Sequence, residues 1–209
     1  MTRAQTTVQL HGRSSSHFTR VARIFAVELA VPLDFRPVLD LTTLEPSAYA
    51  GNPALKIPVL VDEQGPLFGI ENICRALLRR SGKAATNIIM RGDLAERAIA
   101  NAEELTLHVM SSEVSLLMAK AAGNVAPPKA PQSLHNSLRY LDETLGSALA
   151  ELPSDRLLSF LEVTLFCVVT HLEFREMADV SLFHALREFC LHFGERESAK
   201  ATPYRFDVA

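Results

Sequence analysis

The sequence predicts an α/β domain over residues 1–82 followed by an all-helical domain over residues 87–209. Three observations predict this order. Short apolar, β-branched runs alternate with amphipathic helix patterns in the first part of the chain. Helical periodicity alone governs the second part. Between the two lies "SGKAAT" (81–86), a run of small and polar residues that reads as a linker.

The elements follow in order. "TTVQLH" (6–11) is a short strand candidate that runs into the polar turn "GRSSS". Residues 17–30 form a helix, because Phe18, Val21, Ala22, Phe25 and Leu29 recur at spacings of three and four. Pro32 ends it, and "LDFRPVLDL" supplies a second strand. A loop with Pro46 and Pro53 leads to "GNPALKIPVLVD" (51–62). There Ile57, Val59, Leu60 and Val61 read as a strand, yet Pro58 lacks the N–H that a central strand uses. The proline therefore marks an edge strand or the entry to a strand beside a turn, where a cis peptide bond is at home. After "EQGP" and a short strand "LFG", Asn72 is the expected N-cap of a helix through "ICRALLRR". Arg79 and Arg80 suit that helix's C-terminus.

In the second part, Asp93 is the expected cap of a long helix reaching about Ala122, stopped by "GNVAPP". Residues 132–150 form another, with a stripe of Leu134, Leu138, Leu141 and Leu145. Ser159 and Glu162 make an S-x-x-E capping box at the head of an apolar helix. "SLFHALREFCLHFG" closes the helical part at Gly194, with His184 and His192 expected as partly buried or surface histidines, not ligands.

Composition narrows the function classes. The chain has 209 residues, 48% of them hydrophobic, with a net charge of −3. That balance, without a basic aromatic-rich stripe, argues against nucleic acid or an anionic membrane as partner. No apolar run reaches membrane-spanning length, and the longest candidate, around "LEVTLFCVVTHLEF", carries Glu162, His171 and Glu173. The N-terminal residues have no apolar core of the kind a signal peptide carries. Three widely spaced cysteines, Cys74, Cys167 and Cys190, point to a reducing cytoplasm, and scattered histidines without a Cys/His cluster give no metal site.

Asn52-Pro53-Ala54-Leu55-Lys56-Ile57-Pro58-Val59-Leu60-Val61-Asp62, followed by Glu71-Asn72-Ile73, resembles the N-P-x-x-K-V-P-x-L-x-D and L-x-E-S-x-A-I patterns of the glutathione transferase superfamily. The order of an α/β unit, a short linker and a helical bundle is similar to that family as well. The resemblance implies a thioredoxin-like N-terminal domain followed by an all-helical bundle, in a bacterial-type, serine-containing protein. It implies that Pro58 is cis and that the backbone of Ile57 pairs with glutathione as an added strand. Glu71 would accept from the γ-glutamyl ammonium, the helix opened by Asn72 would take the carboxylate, and Lys56 would reach the glycyl carboxylate. Aligning the family's first-helix pattern selects Ser16 as the residue that stabilises the glutathione thiolate, with Ser14 and Ser15 as alternatives. Serine where thiol-exchanging members use cysteine implies thiol activation. A pocket for a small hydrophobic electrophile is expected between Ser16 and the long helix, near Met110, Ser111 and Val114.

The implied protein is a cytoplasmic, homodimeric transferase with glutathione as co-substrate and no metal. Departures from the family pattern at His17, Leu55 and Asn72 leave a second reading, a non-catalytic glutathione-binding or protein-interaction module on the same fold.

Overall fold

Strand β1 (Val8–Gly12) runs through the interior of a four-stranded sheet, in a computed structural model that describes residues 7–82 and 87–208. Its alternation of buried Val8 and Leu10 with half-buried Gln9 and His11 is what a strand with unequal faces requires. Helix α1 (His17–Glu28) crosses over to β2 (Leu33–Pro37), which pairs in parallel with β1 from Val8↔Leu33 to Gly12↔Pro37. Strands β3 (Val59–Asp62) and β4 (Gly65–Phe68) form an antiparallel hairpin on the other side of β1, giving the order β2-β1-β3-β4. Prolines keep to the places a sheet tolerates: Pro58 precedes β3, while Pro37 and Pro66 lie on edge strands. Helix α2 (Ile70–Ser81) packs beside α1, and Val21, Ile24, Phe25, Leu60, Ile73 and Leu77 are fully buried.

The corner between β1 and α1 is tight for a local reason. A Cβ on Gly12 would lie 2.5 Å from Thr19 Oγ1, so only glycine lets the strand end against the first turn of the helix. Arg13 N–H donates to the same Thr19 hydroxyl at 3.3 Å.

The chain divides into two compact units, Met1–Ala85 with Glu197–Ala209, and Thr86–Arg196. The sequence predicts a boundary at 82 and a helical domain over 87–209, whereas the segment from Glu197 groups with the first unit. Polar contacts account for this. Helix α7 (Glu197–Lys200) packs on α1, Ser198 Oγ donates to Glu28 Oε1 at 2.6 Å, and the Arg20 guanidinium donates to Ala199 O at 3.3 Å. Of the linker "SGKAAT", Ser81 ends α2 and Gly82 caps it with a left-handed φ of 64°; residues 83–86 lie outside the described residues.

The second unit is built on α3 (Arg97–Ala121), α4 (Lys129–Ala150), α5 (Phe160–Phe174) and α6 (His184–Gly194). Two short strands escaped the sequence reading: β5 (Ile88–Ile89) pairs in parallel with β6 (Leu158–Ser159). Asp93 does not cap α3, whose N-cap is Glu96; the Asp93 carboxylate instead folds back to accept from Met90 N–H at 2.9 Å. The capping box is half-formed. Ser159 Oγ accepts from Glu162 N–H at 3.1 Å, while the Glu162 carboxylate takes the Ser159 hydroxyl proton at 2.7 Å and the Arg156 guanidinium at 2.7 and 3.0 Å. No described helix is long and apolar enough to cross a membrane.

Candidate functional site

Ser16 stands at the end of the β1–α1 corner as the N-cap of α1, with extended backbone angles of −105° and 127°. Its N–H donates to Arg13 O at 3.1 Å, closing a turn, and its carbonyl begins the helix by accepting from Arg20 N–H at 2.9 Å. Its Oγ accepts from Thr19 N–H at 3.3 Å. A serine hydroxyl has one proton to give and two lone pairs, so this cap occupies one lone pair and leaves the proton for a further acceptor. Ser14 differs: it is 1% exposed, with its Oγ 3.5 Å from the Arg23 guanidinium and its N–H donating to Asp207 Oδ2 at 2.7 Å. Ser15 is half-buried within the turn. His17 turns inward, buried, with its ring centroid 4.6 Å from that of Phe18.

The second group of residues lies on the loop entering β3 and at the head of α2. Asn52, 5% exposed, organises that loop: Nδ2 donates to Lys56 O at 2.8 Å and Oδ1 accepts from Ala54 N–H at 3.0 Å. This holds Leu55 in a left-handed φ of 54°, and the chain then reaches the cis Ile57–Pro58 bond. Among the described residues, no backbone hydrogen bond engages the N–H or C=O of Ile57. Ile57 is half-buried, Pro58 is buried and Lys56 is exposed.

Asn72 is not the N-cap of α2. The helix begins two residues earlier, at Ile70, with Gly69 in the cap position at a φ of 87° and no side-chain cap bond. The Asn72 side chain reaches back to donate to Phe68 O at 3.0 Å. The first bond across the helix start runs from Ile73 N–H to Gly69 O, so the N–H groups of residues 70–72 point out of the open end. Glu71 is in this first turn and pairs through Oε1 with Arg75 Nε at 3.1 Å, one turn along. The carboxylate favours the positive end of the helix dipole, and the ion pair fixes its direction.

The residues expected to line an electrophile pocket all fall on α3. Met110 is buried, Val114 half-buried and Ser111 exposed. One buried polar pair on the helical unit had no sequence signal beyond a histidine in an apolar helix. His171 Nδ1 lies 2.7 Å from Glu113 Oε1, and both side chains are almost fully buried. Burial pushes the Glu113 carboxyl above its ordinary 4.5, against the opposing pull of His171 and Arg175. His184 and His192 are exposed on α6.

Residues 10–85 match the family model for the glutathione S-transferase N-terminal domain. No curated protein matches the chain by sequence. Solved structures match it along nearly its whole length. A glutathione S-transferase from Methylobacillus flagellatus KT, with glutathione bound, is 23% identical at a TM-score of 0.75, covering 95% of this chain and all of that one. A glutathione S-transferase from Methylobacterium radiotolerans, in complex with glutathione sulfonate, is 18% identical at a TM-score of 0.74, covering 98% of each chain. A glutathione transferase homologue from Sulfitobacter, with bound glutathione, is 16% identical at a TM-score of 0.68, covering 93% of this chain and 96% of that one.

Proposed function

From the premise that this chain has the two-domain fold of the glutathione transferase superfamily, with that family's N-terminal domain at its front, we propose that it binds glutathione in its first unit and activates the thiol for attack on a small hydrophobic electrophile. The observation that carries this reading is the pair of unfilled backbone positions at Ile57 and at the head of α2. An extended peptide laid beside Ile57 would gain the two main-chain bonds that the loop leaves open. The γ-glutamyl carboxylate would meet the N–H groups of residues 70–72, where the helix end favours an anion. Its ammonium would meet Glu71, already oriented by Arg75. Lys56, exposed at the rim, suits the glycyl carboxylate. Solved proteins of the same fold hold glutathione or its sulfonate.

In this arrangement Ser16 supplies the hydroxyl proton that its cap leaves over. A free thiol is mostly protonated near neutral pH, and the thiolate is the nucleophile. Donation from Ser16 to the sulfur, with the positive end of α1 behind it, would lower the thiol's pKa. One unit of lowering corresponds to about 1.4 kcal/mol, within the reach of a single charge-assisted hydrogen bond. Serine at this position forms no mixed disulfide, which fits activation of a thiol over exchange. The three widely spaced cysteines, Cys74, Cys167 and Cys190, suit a cytoplasmic setting, and the same reading implies a homodimer, which light scattering measures.

One observation favours the second reading, a binding module without catalysis: the Ser16 hydroxyl already serves as a helix cap. Titration with glutathione, followed by thiolate ultraviolet absorbance, separates the two. Saturable binding with a thiolate signal near neutral pH, lost in Ser16→Ala, is the expected result. Binding without thiolate in the wild-type protein would support the module. No binding would overturn both.

A further inference from the structure

The Ser16 turn is held by a residue from the far end of the chain. We propose that Asp207 is a positioning residue for thiol activation: its carboxylate fixes the 13–16 turn and, through it, the direction of the Ser16 hydroxyl. The inference rests on the glutathione-activating reading given above.

Three backbone N–H groups of the turn find acceptors from distinct sources. Arg13 N–H is taken by Thr19 Oγ1, inside the corner, and Ser16 N–H by Arg13 O, within the turn itself. Ser14 N–H is taken at 2.7 Å by Asp207 Oδ2, which comes from 193 residues away. A short bond from a backbone N–H to a carboxylate is of the stronger, charge-assisted kind. It is also sheltered, since Ser14 is 1% exposed.

The terminal segment is placed by polar groups. Its apolar side chains Phe206 and Val208 are 66% and 88% exposed, so hydrophobic burial of those two does not decide its path. Two anchors do. The Arg20 guanidinium lies 4.4 Å from the centroid of the Tyr204 ring, a cation–π distance, and Asp207 binds Ser14. Both anchors act on the element that carries Ser16: Arg20 is in the first turn of α1, and Ser14 is two residues before the cap. Nearby, Arg23 reaches Ser14 Oγ, and it is a crowded cation: burial and its neighbours Arg205 and Arg20 disfavour its charge, while Asp207 supports it. Asp207 thus adds an acceptor for the turn and a counter-charge for the arginines around it. The Asp207 bond restrains the 13–14 peptide plane, and a rotation of that plane would redirect the backbone that leads to the cap.

The test compares wild-type protein with Asp207→Ala, with Asp207→Asn, which keeps an acceptor oxygen, and with Val208→Ala, an exposed neighbour. Two readouts are followed: amide hydrogen exchange of residues 13–16, and the pH dependence of the thiolate absorbance of bound glutathione. In the wild-type protein the Ser14 amide is expected to be protected. Asp207→Ala is expected to raise exchange in the turn by about tenfold or more and to move the bound thiol's titration towards that of free glutathione. Glutathione affinity, measured below that titration where the thiol is protonated, should change less than threefold, as an order-of-magnitude expectation. Asp207→Asn, which keeps the acceptor but not the charge, should recover part of both effects, and Val208→Ala should show neither. An unprotected Ser14 amide in the wild-type protein would overturn the proposal without any variant. So would a loosened turn with an unshifted thiol titration. Failure of the wild-type protein to bind glutathione at all would overturn the underlying reading; normal thiolate formation in Asp207→Ala would overturn only the role given to Asp207.

Discussion

The two helices that frame the candidate site begin in opposite ways. Helix α1 is closed by its own side chain, with Ser16 Oγ on Thr19 N–H. Helix α2 is left open, with Gly69 in the cap position and no side chain on its N–H groups. Generic capping would favour a side chain at both ends, since replacing a cap costs a helix about 1 kcal/mol with alanine and roughly a few tenths with glycine. The difference separates two uses of the same backbone chemistry. At α1 the cap sets a hydroxyl whose proton remains to be donated. At α2 the absent cap leaves donors for an incoming anion, and Asn72, the residue best suited to fill them, is turned away towards Phe68 O.

The largest test of this contrast is steric. Gly12→Ala places a methyl 2.5 Å from Thr19 Oγ1 and 2.6 Å from its Cγ2, at a fully buried residue that cannot retreat. A loss of about 3 kcal/mol in chemical denaturation is expected, with partial recovery when Thr19→Ala is added. A smaller loss is expected where propensity suggests a gain. Asp is a better N-cap than glycine, yet Gly69→Asp should destabilise by about 2 kcal/mol, because a φ of 87° strains any other residue. If Gly69→Asp stabilised the protein instead, the open end of α2 would be a plain deficiency and the contrast would fail. Third in size, Ser16→Ala should cost about 1 kcal/mol in the same assay, the value of a side-chain cap. Asn72→Ala should cost under about 0.5 kcal/mol, because it removes only an exposed bond. Equal losses for these two would erase the asymmetry.

The smallest expected effect separates the two units by pH. In the first unit, burial and Arg36 lower the His11 pKa below its ordinary 6.5. The unfolded chain then binds more protons on the acid side, so that contribution is present above about pH 6.5 and is lost as the pH falls. In the helical unit, burial raises Glu113 above 4.5, so its contribution is present below that value and declines as the pH rises through the folded pKa. Amide exchange resolved by unit between about pH 5 and pH 8 should show opposite slopes. His11→Gln should flatten the first and Glu113→Gln the second.

Much of the first unit was legible because its signals are local. The spacing of Phe18, Val21, Phe25 and Leu29 marked α1, and Asn52 through Asp62 carried the pattern of the loop and β3. The head of α2 was misread because cap preference ranks Asn above Gly, whereas the short β4–α2 connection needs the positive φ that glycine allows. Asp93 was misread for a related reason: its carboxylate satisfies Met90 N–H, three residues back, instead of a helix. Strands β5 and β6 have two residues each, too few for alternation to show. The bond between Ser14 and Asp207 and the pair of Glu113 with His171 join residues far apart in the chain, and no periodicity reports such contacts.

The return of residues 197–208 to the first unit also sets an order of assembly. The sheet, α1 and α2 leave the ribosome before the helical unit, Thr86–Arg196, and the segment that ties down Ser14 and Arg20 follows only after it. At ordinary rates of synthesis that interval is about ten seconds. Through it, the nascent sheet has its core but not its last strap, and the corner around Ser16 acquires its final support when the helices are already in place. The part of the molecule proposed to perform the chemistry is thus begun before the helical unit and finished after it.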